Sequence, residues 1–231
     1  YKSVFRKDVK SMDYKKTAAA IKADSFKMAS LSRKTRDLAL QAMIDTLSAH
    51  KDEIFAANEE DLKQAALDQL PMPIQNRLKF DDHKLSDCIS GMKDLIAMED
   101  PLFQELLKRK LDDDLTLIKT TCPIGVIGVI FESRPDALVQ ISSLCVKSGN
   151  CAILKGGSEA ARTNRILFDL LYKAGTQAGL PKGFAALIED RAGIDELLKC
   201  HESVDLIIPR GSNQFVQYIM ANSKIPVMGH A

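Results

Sequence analysis

Three short segments set glycine, hydroxyl and cationic residues at the ends of apolar runs: FESRPD (131–136), LKGGSEA (154–160) and IPRGSN (208–213). In the second, Gly156 and Gly157 let backbone approach a ligand closely. Ser158 is placed to cap a following helix while leaving its first amides exposed, and Lys155 stands where an ammonium reaches a ribose or a phosphate. A glycine-rich turn beside a solvated lysine uses the same residues, and local physics does not separate the two. IPRGSN repeats the design with Arg210 ahead of Gly211 and Ser212. Two such mouths on adjacent strands would grip the two ends of one extended cofactor. FESRPD contributes Ser133 and Arg134. Arg134 suits two-pronged binding of a carboxylate or phosphate, and suits equally a salt bridge that holds its own loop. Neither GxGxxG nor GxxxxGK[ST] occurs, and IGVIG (124–128) reads as a core strand.

Thiol and imidazole chemistry has less support. Cys88, Cys122, Cys145, Cys151 and Cys200 are odd in number and irregularly spaced, without a CxxC pair. No disulfide framework and no metal site is expected, and a reducing cytoplasm is the natural setting. Cys145 in ISSLCVK and Cys151 in CAILK read as small core residues. Cys88 and Cys200 lie on helices without a histidine at a telling spacing, so no cysteine here is assigned as nucleophile. His50, His83 and His201 sit among charges and read as solvated. His230 follows the last expected strand and reads as a loop residue.

The elements that must position these loops follow from periodicity. Residues 11 to about 107 read as helices, with Leu38, Met43, Ile44, Leu47, Ile54 and Phe55 at three- and four-residue spacings and Ser32 as an N-cap. Pro71 and Pro73 break the pattern, and a further helix runs from about Asp82 to Met98. Two strands then meet near Pro123. The first, Leu115 to Thr121, has the loose alternation of an exposed or partner-covered strand. The second, Gly125 to Phe131, is a continuous apolar run, as in a sheet buried on both faces. Helix 136–147, strand 151–155, a helix to about 175, strand 184–188, helix 194–200, strand 204–209, a helix to about 222 and strand 225–228 follow. That alternation predicts an α/β fold, a parallel sheet with flanking helices preceded by a helical N-terminal region. Ligands in such sheets bind beyond the carboxyl ends of the strands, where the three loops fall.

Composition agrees and excludes several classes. At 231 residues with 45% hydrophobic and 27% charged, the chain can bury a core without disulfides or metals. Thirty-two basic against 31 acidic residues leave a net charge of +1, no electrostatic footprint for nucleic acid or an acidic membrane. No apolar run is long enough to span a bilayer, and YKSVFRKDVK lacks the apolar core of a secretory signal.

The segment CPIGVIGVIFESRPDALVQISSLCVKSGNCAILKGGSEA resembles the core of the γ-glutamyl phosphate reductases, also called glutamate-5-semialdehyde dehydrogenases, of the aldehyde dehydrogenase superfamily. VDLIIPRGSNQFVQYIMANSKIPVMGHA and, less specifically, LSRKTRDLALQAMIDTLSAHKDEIFAANEEDL are similar to further stretches of that family. The resemblance implies an aldehyde-dehydrogenase-like fold and NADPH-dependent reduction of L-glutamate 5-phosphate to L-glutamate 5-semialdehyde in proline biosynthesis. It implies that Lys155 approaches the adenosine ribose, with Gly156, Gly157, Ser158 and Glu159 beside it, and that Arg210, Gly211 and Ser212 form the second, phosphate-side loop. Ser133 and Arg134 occupy the turn where ordinary aldehyde dehydrogenases carry an oxyanion asparagine, whose role is not transferred to an arginine. It further implies three units: residues 1–107 as the helical part of a cofactor domain, 108–122 as an oligomerisation strand, and 123–231 as the α/β cofactor-binding domain. A nucleophilic cysteine is then expected in a catalytic domain beyond Ala231, because a thiolate must attack the acyl phosphate. The chain alone is expected to be inactive and the complete protein a homo-oligomer, with association or fusion to a glutamate 5-kinase a further expectation. The alternatives are a non-catalytic nucleotide-binding module and a CoA-dependent acylating aldehyde dehydrogenase; ESRP and KSGN weigh against the latter.

Overall fold

The computed structural model describes residues 13–190 and 193–229. Helix α1 (Tyr14–Ser30) begins where the Asp13 carboxylate accepts the Lys16 amide, and α2 (Arg33–Ala49) where Ser32 accepts that of Thr35. The long amphipathic stretch is divided at His50, after which α3 runs Lys51–Leu67. Pro71 and Pro73, expected as breakers, also open a short helix, α4 (Met72–Leu78), since the fixed φ and missing amide of proline suit a first turn. Helix α5 (Asp82–Ala97) is capped by Asp81.

The helical stretch ends there and not near residue 107. Strand β1 (Glu105–Asp112) pairs antiparallel with β2 (Leu115–Thr120) around Asp113 and Asp114, so the strand expected at 108–122 is a hairpin that starts earlier. Glu, Leu, Lys and Arg in ELLKRKLD favour helix locally, and pairing with β2 overrides that preference. Every residue of both strands is exposed.

The second sheet is parallel, with order β5-β4-β3-β6: β3 (Val126–Ile130), β4 (Cys151–Lys155), β5 (Ala185–Ile188) and β6 (Leu206–Pro209). Between and after these strands come α6 (Pro135–Lys147), α7 (Ala161–Gln177), α8 (Gly193–Leu198) and α9 (Asn213–Asn222). The expected strand at 225–228 is reduced to one bridge between Val227 and Ile207; Pro226 has no amide to extend the ladder. Helix α6 ends as the sequence suggests. Gly149 adopts φ +68, its amide bonds Val146 O, and the Asn150 amide reaches back to Cys145 O at 2.8 Å.

Helices α6 and α7, backed by α2, α3 and α5, cover one face of the sheet, while α1 and α8 cover the other. Strand alternation sets Gly128 toward Leu197 of α8, and Ile127 and Val129 toward Ile141 of α6. Two ionic clusters tie the layers. Lys22 of α1 meets Asp205 at 2.7 Å, and Asp205 also accepts the Val126 amide at the start of β3. Buried Arg36 pairs with Asp100 at 2.6 Å and donates to Lys147 O, while Lys147 pairs with Asp37 at 2.9 Å. These hold α2 against α6, and so hold the sheet whose carboxyl ends carry the loops of interest. No helix among the described residues is long and apolar enough to cross a membrane.

Candidate functional site

The three loops emerge at the carboxyl ends of β3, β4 and β6 and line two adjoining clefts. The first, about 490 Å³, is lined by Ser133, Lys155, Gly156, Gly157, Ser158 and Glu159, by Asp61 and Gln64 of α3 and Asp68 just beyond it, by Arg162 of α7 and by Phe215 of α9. The second, about 460 Å³, is lined by Arg77, Arg134, Arg210, Gly211 and Ser212. Phe131 and Glu132 border both. All ten residues singled out from the sequence therefore fall on one pair of clefts, divided between its two halves.

Local geometry assigns partners to several of them. Lys155 is buried, and its ammonium donates to the carbonyl of Gly156 at 2.7 Å. Gly156 is closely packed: a Cβ there would fall 2.3 Å from Asn164 Nδ2 and 3.3 Å from the Phe131 ring. Ser158 is exposed and opens a single 3₁₀ turn, Ser158–Ala160, ahead of α7. It does not cap the α-helix. The first amides of α7 are taken instead by the buried carboxylate of Asp61, from α3. Its Oδ2 accepts Thr163 N at 2.8 Å and Thr163 Oγ1 at 2.7 Å, and its Oδ1 accepts Arg162 N at 3.3 Å. The helix terminus expected to receive an anion already holds one supplied by the chain.

Glu159 joins two loops. Its Oε1 accepts the Ser133 amide at 2.7 Å and the Ser133 hydroxyl at 2.6 Å. Ser133 is buried with φ +44, a left-handed conformation uncommon outside glycine, and these two bonds hold it there. Next to it, Arg134 donates to Asp136 at 3.3 Å, the loop-holding contact considered from sequence, yet its side chain still lines the second cleft. Asp136 is buried and is also approached by Lys84 at 3.5 Å. The guanidinium of Arg210 makes no bond among the described residues, and its backbone amide donates to Ile130 O. Ser212 accepts the Phe215 amide and caps α9, as its sequence position suggests.

Two contributors had no local signal. Asp61 sits in an ordinary amphipathic helix, and only its burial marks it. Arg77 follows the Pro71–Pro73 pair and belongs to a helix that the prolines concealed.

The thiols are not activated. Burial pushes Cys88, Cys145 and Cys151 up to about 12, with the Asp136 charge adding at Cys88 and the Asp24 charge at Cys151; burial also raises Cys200. Cys122 is exposed. His50 is half-buried, its Nδ1 at 2.9 Å from Thr46 O, so it is not the solvated residue expected. His83 and His201 are exposed, and His230 lies outside the described residues.

A βα sheet with this helical N-terminal layer, an antiparallel hairpin standing off it and a cleft without a GxGxxG loop defines a recognised class. The model of the aldehyde dehydrogenase family matches residues 5–228, and the chain belongs to that family. It is 53% identical over 220 residues to a γ-glutamyl phosphate reductase of Ruminiclostridium cellulolyticum, a match covering 95% of this chain and 51% of that protein. Among solved structures, the γ-glutamyl phosphate reductase of Saccharomyces cerevisiae superposes with a TM-score of 0.90 at 37% identity, covering 95% of this chain and 56% of that one. The enzyme of that name from Thermotoga maritima gives 0.89 at 26%, covering 94% and 53%. The chain spans about half the length of the curated relatives it matches.

Proposed function

We propose that this chain is the cofactor-binding part of a γ-glutamyl phosphate reductase, which converts L-glutamate 5-phosphate to L-glutamate 5-semialdehyde with NADPH in proline biosynthesis. The observation that carries the reading is the paired cleft at the carboxyl ends of β3, β4 and β6, in a chain about half identical to proteins of that name.

The residues present fit a dinucleotide. A cleft of about 490 Å³ has the size of a small-molecule site. Gly156 lines the cleft with its Cβ side filled by Asn164, whose Oδ1 is buried without a hydrogen-bond partner among the described residues. Lys155, Gly156, Gly157 and Ser158 would hold the adenosine end, and Arg210, Gly211 and Ser212 the other end. Bound there, the reduced nicotinamide supplies a hydride. NADPH is the cofactor of this reading; Glu159 gives its Oε1 to the Ser133 amide and hydroxyl. Arg162, on the same cleft, offers a cation to a 2′-phosphate. Ser133 and Arg134 would meet the substrate, the arginine neutralising its phosphate as negative charge shifts to the leaving oxygen. No cysteine lines either cleft, and four of the five are buried, so the nucleophilic cysteine is assigned to the part of the full-length protein that this chain does not span.

The hairpin β1–β2 exposes Leu106, Leu107, Leu111, Leu115, Leu117 and Ile118, and a homo-oligomeric contact would cover it. Buried free thiols fit a reducing cytoplasm. Association with a glutamate 5-kinase remains part of the proposal without a feature of its own.

The test is phosphate-dependent NADP⁺ reduction by the full-length protein with glutamate 5-semialdehyde. Lys155→Ala should raise the KM for NADP⁺ about tenfold and that for phosphate by less than twofold. Equal effects on both would remove Lys155 from the cofactor site. Wild-type protein that binds NADP⁺ without turnover would favour the binding-module alternative, and CoA in place of phosphate as the required acceptor would favour the acylating one.

A further inference from the structure

The second cleft holds a cation, Arg77, that neither the cofactor reading of Arg210 nor the substrate reading of Arg134 uses. Three guanidinium groups, Arg77, Arg134 and Arg210, line it against one carboxylate, Glu132. The adjoining cleft has the opposite balance, with Asp61, Asp68, Glu132 and Glu159 against Lys155 and Arg162. An anion entering the pair is driven to the second half.

The three arginines come from separate elements, and each is held by its surroundings. Arg77 is on α4, whose last carbonyl, Leu78 O, accepts Asn58 Nδ2 at 2.9 Å, while Asn58 Oδ1 accepts the Phe80 amide at 2.8 Å. Asn58 is buried on α3, so it clamps the end of α4 beside Arg77. Arg77 Nε donates to Pro73 O at 3.2 Å, and its terminal nitrogens make no bond among the described residues. Arg134 is steered by Asp136 at the start of α6. Arg210 sits one residue beyond β6, fixed through its amide to Ile130 O at 2.7 Å, with its guanidinium unengaged among the described residues. Three forked donors around one concavity match a compact tetrahedral dianion better than a planar monocarboxylate.

We propose that Arg77, Arg134 and Arg210 form one pocket for a phosphoryl group, that of the acyl phosphate substrate and of the inorganic phosphate it releases. The proposal rests on the reductase reading for the identity of the substrate, but phosphate binding by the pocket can be measured without turnover. The new member is Arg77, and Arg210 is shared with the cofactor's loop.

The test uses full-length protein and inorganic phosphate as the probe, titrated by calorimetry, with NADP⁺ titrated separately. Arg77 is exposed, so Arg77→Gln should fold as wild type. It should weaken phosphate binding about tenfold, ~1.4 kcal/mol, with Arg77→Lys intermediate because a point charge lacks the fork. NADP⁺ affinity should change less than twofold. Arg210→Gln supplies a second, independent variant with the same expected loss for phosphate. Unchanged phosphate affinity in both variants would overturn the pocket. Loss of NADP⁺ affinity in step with phosphate in Arg77→Gln would also overturn it, by making this the pyrophosphate site of the cofactor. Wild-type protein that binds phosphate through Arg77 yet shows no phosphate-dependent NADP⁺ reduction would keep the pocket and discard the reductase reading.

Discussion

Removing the carboxylate of Asp61 should destabilise the chain far more than its place on an amphipathic helix suggests. Asp61 lies 102 positions before Thr163, yet it accepts both the amide and the hydroxyl of that residue, at 2.8 and 2.7 Å. It is 2% exposed and Thr163 is fully buried. Asp61→Ala would strand the Thr163 amide away from water, at about 1–3 kcal/mol for one unsatisfied buried donor. The Thr163 hydroxyl keeps a 3.2 Å contact from Asn58 Nδ2 and loses less. The Arg162 contacts are long, at 3.3 Å, and that side chain is half exposed, so water replaces them. Loss of a charge facing the helix dipole adds only ~0.3–1 kcal/mol. The unsatisfied donor therefore dominates, and the expected total is about 2–4 kcal/mol. Asp61→Asn keeps one acceptor oxygen and should cost about half as much. Urea unfolding followed by circular dichroism at neutral pH reads both values. An alanine variant within ~0.5 kcal/mol of wild type, below the cost of one unsatisfied buried donor, would refute the reasoning. So would an asparagine variant less stable than the alanine one.

Native chain should react with a thiol reagent at Cys122 alone near pH 8, and at all five cysteines in denaturant, because burial raises Cys88, Cys145, Cys151 and Cys200; counting modified thiols by mass checks this. Stability should fall as pH drops below about 4. The folded-state values of Asp24, held by Lys27 against its burial, and of Asp81, held by the Lys84 amide, lie below the ordinary one, so their contribution is full above the unfolded value and is lost as pH falls through the folded one. Gly156→Ala should cost ~1–3 kcal/mol by overpacking against buried Asn164, read as a lower urea midpoint. Ile118→Lys with Leu117→Lys should shift the full-length protein toward smaller species in analytical ultracentrifugation, with little change in the unfolding of the body.

What the sequence disclosed and what it hid divide along one physical line. Features written by neighbours in sequence were legible: the Ser32 and Ser212 caps, the Gly149 stop, the apolar runs of β3 and β4, and the glycine pairs at the strand ends. Features made by partners far apart were not. Residues 105–107 read as the end of the helical stretch because the strand that pairs with them is needed to make them part of β1. Ser158 looked like the cap of α7 because nothing near it revealed Asp61, and Glu159 gave no hint that Ser133 would use its carboxylate. The same line runs through the candidate site. Each loop could be named from its own glycines and cations, but whether the cations oppose carboxylates or one another depends on packing. Lys155 and Arg162 share the first cleft with Asp61 and Asp68, whereas Arg134 and Arg210 share the second with Arg77. Two hollows of similar size, one with mainly acidic walls and one with basic walls, sharing Phe131 and Glu132, are a division of labour that only the fold can write. On the proposed reading, the basic half would take the phosphoryl group and the acidic half the adenosine end of the dinucleotide.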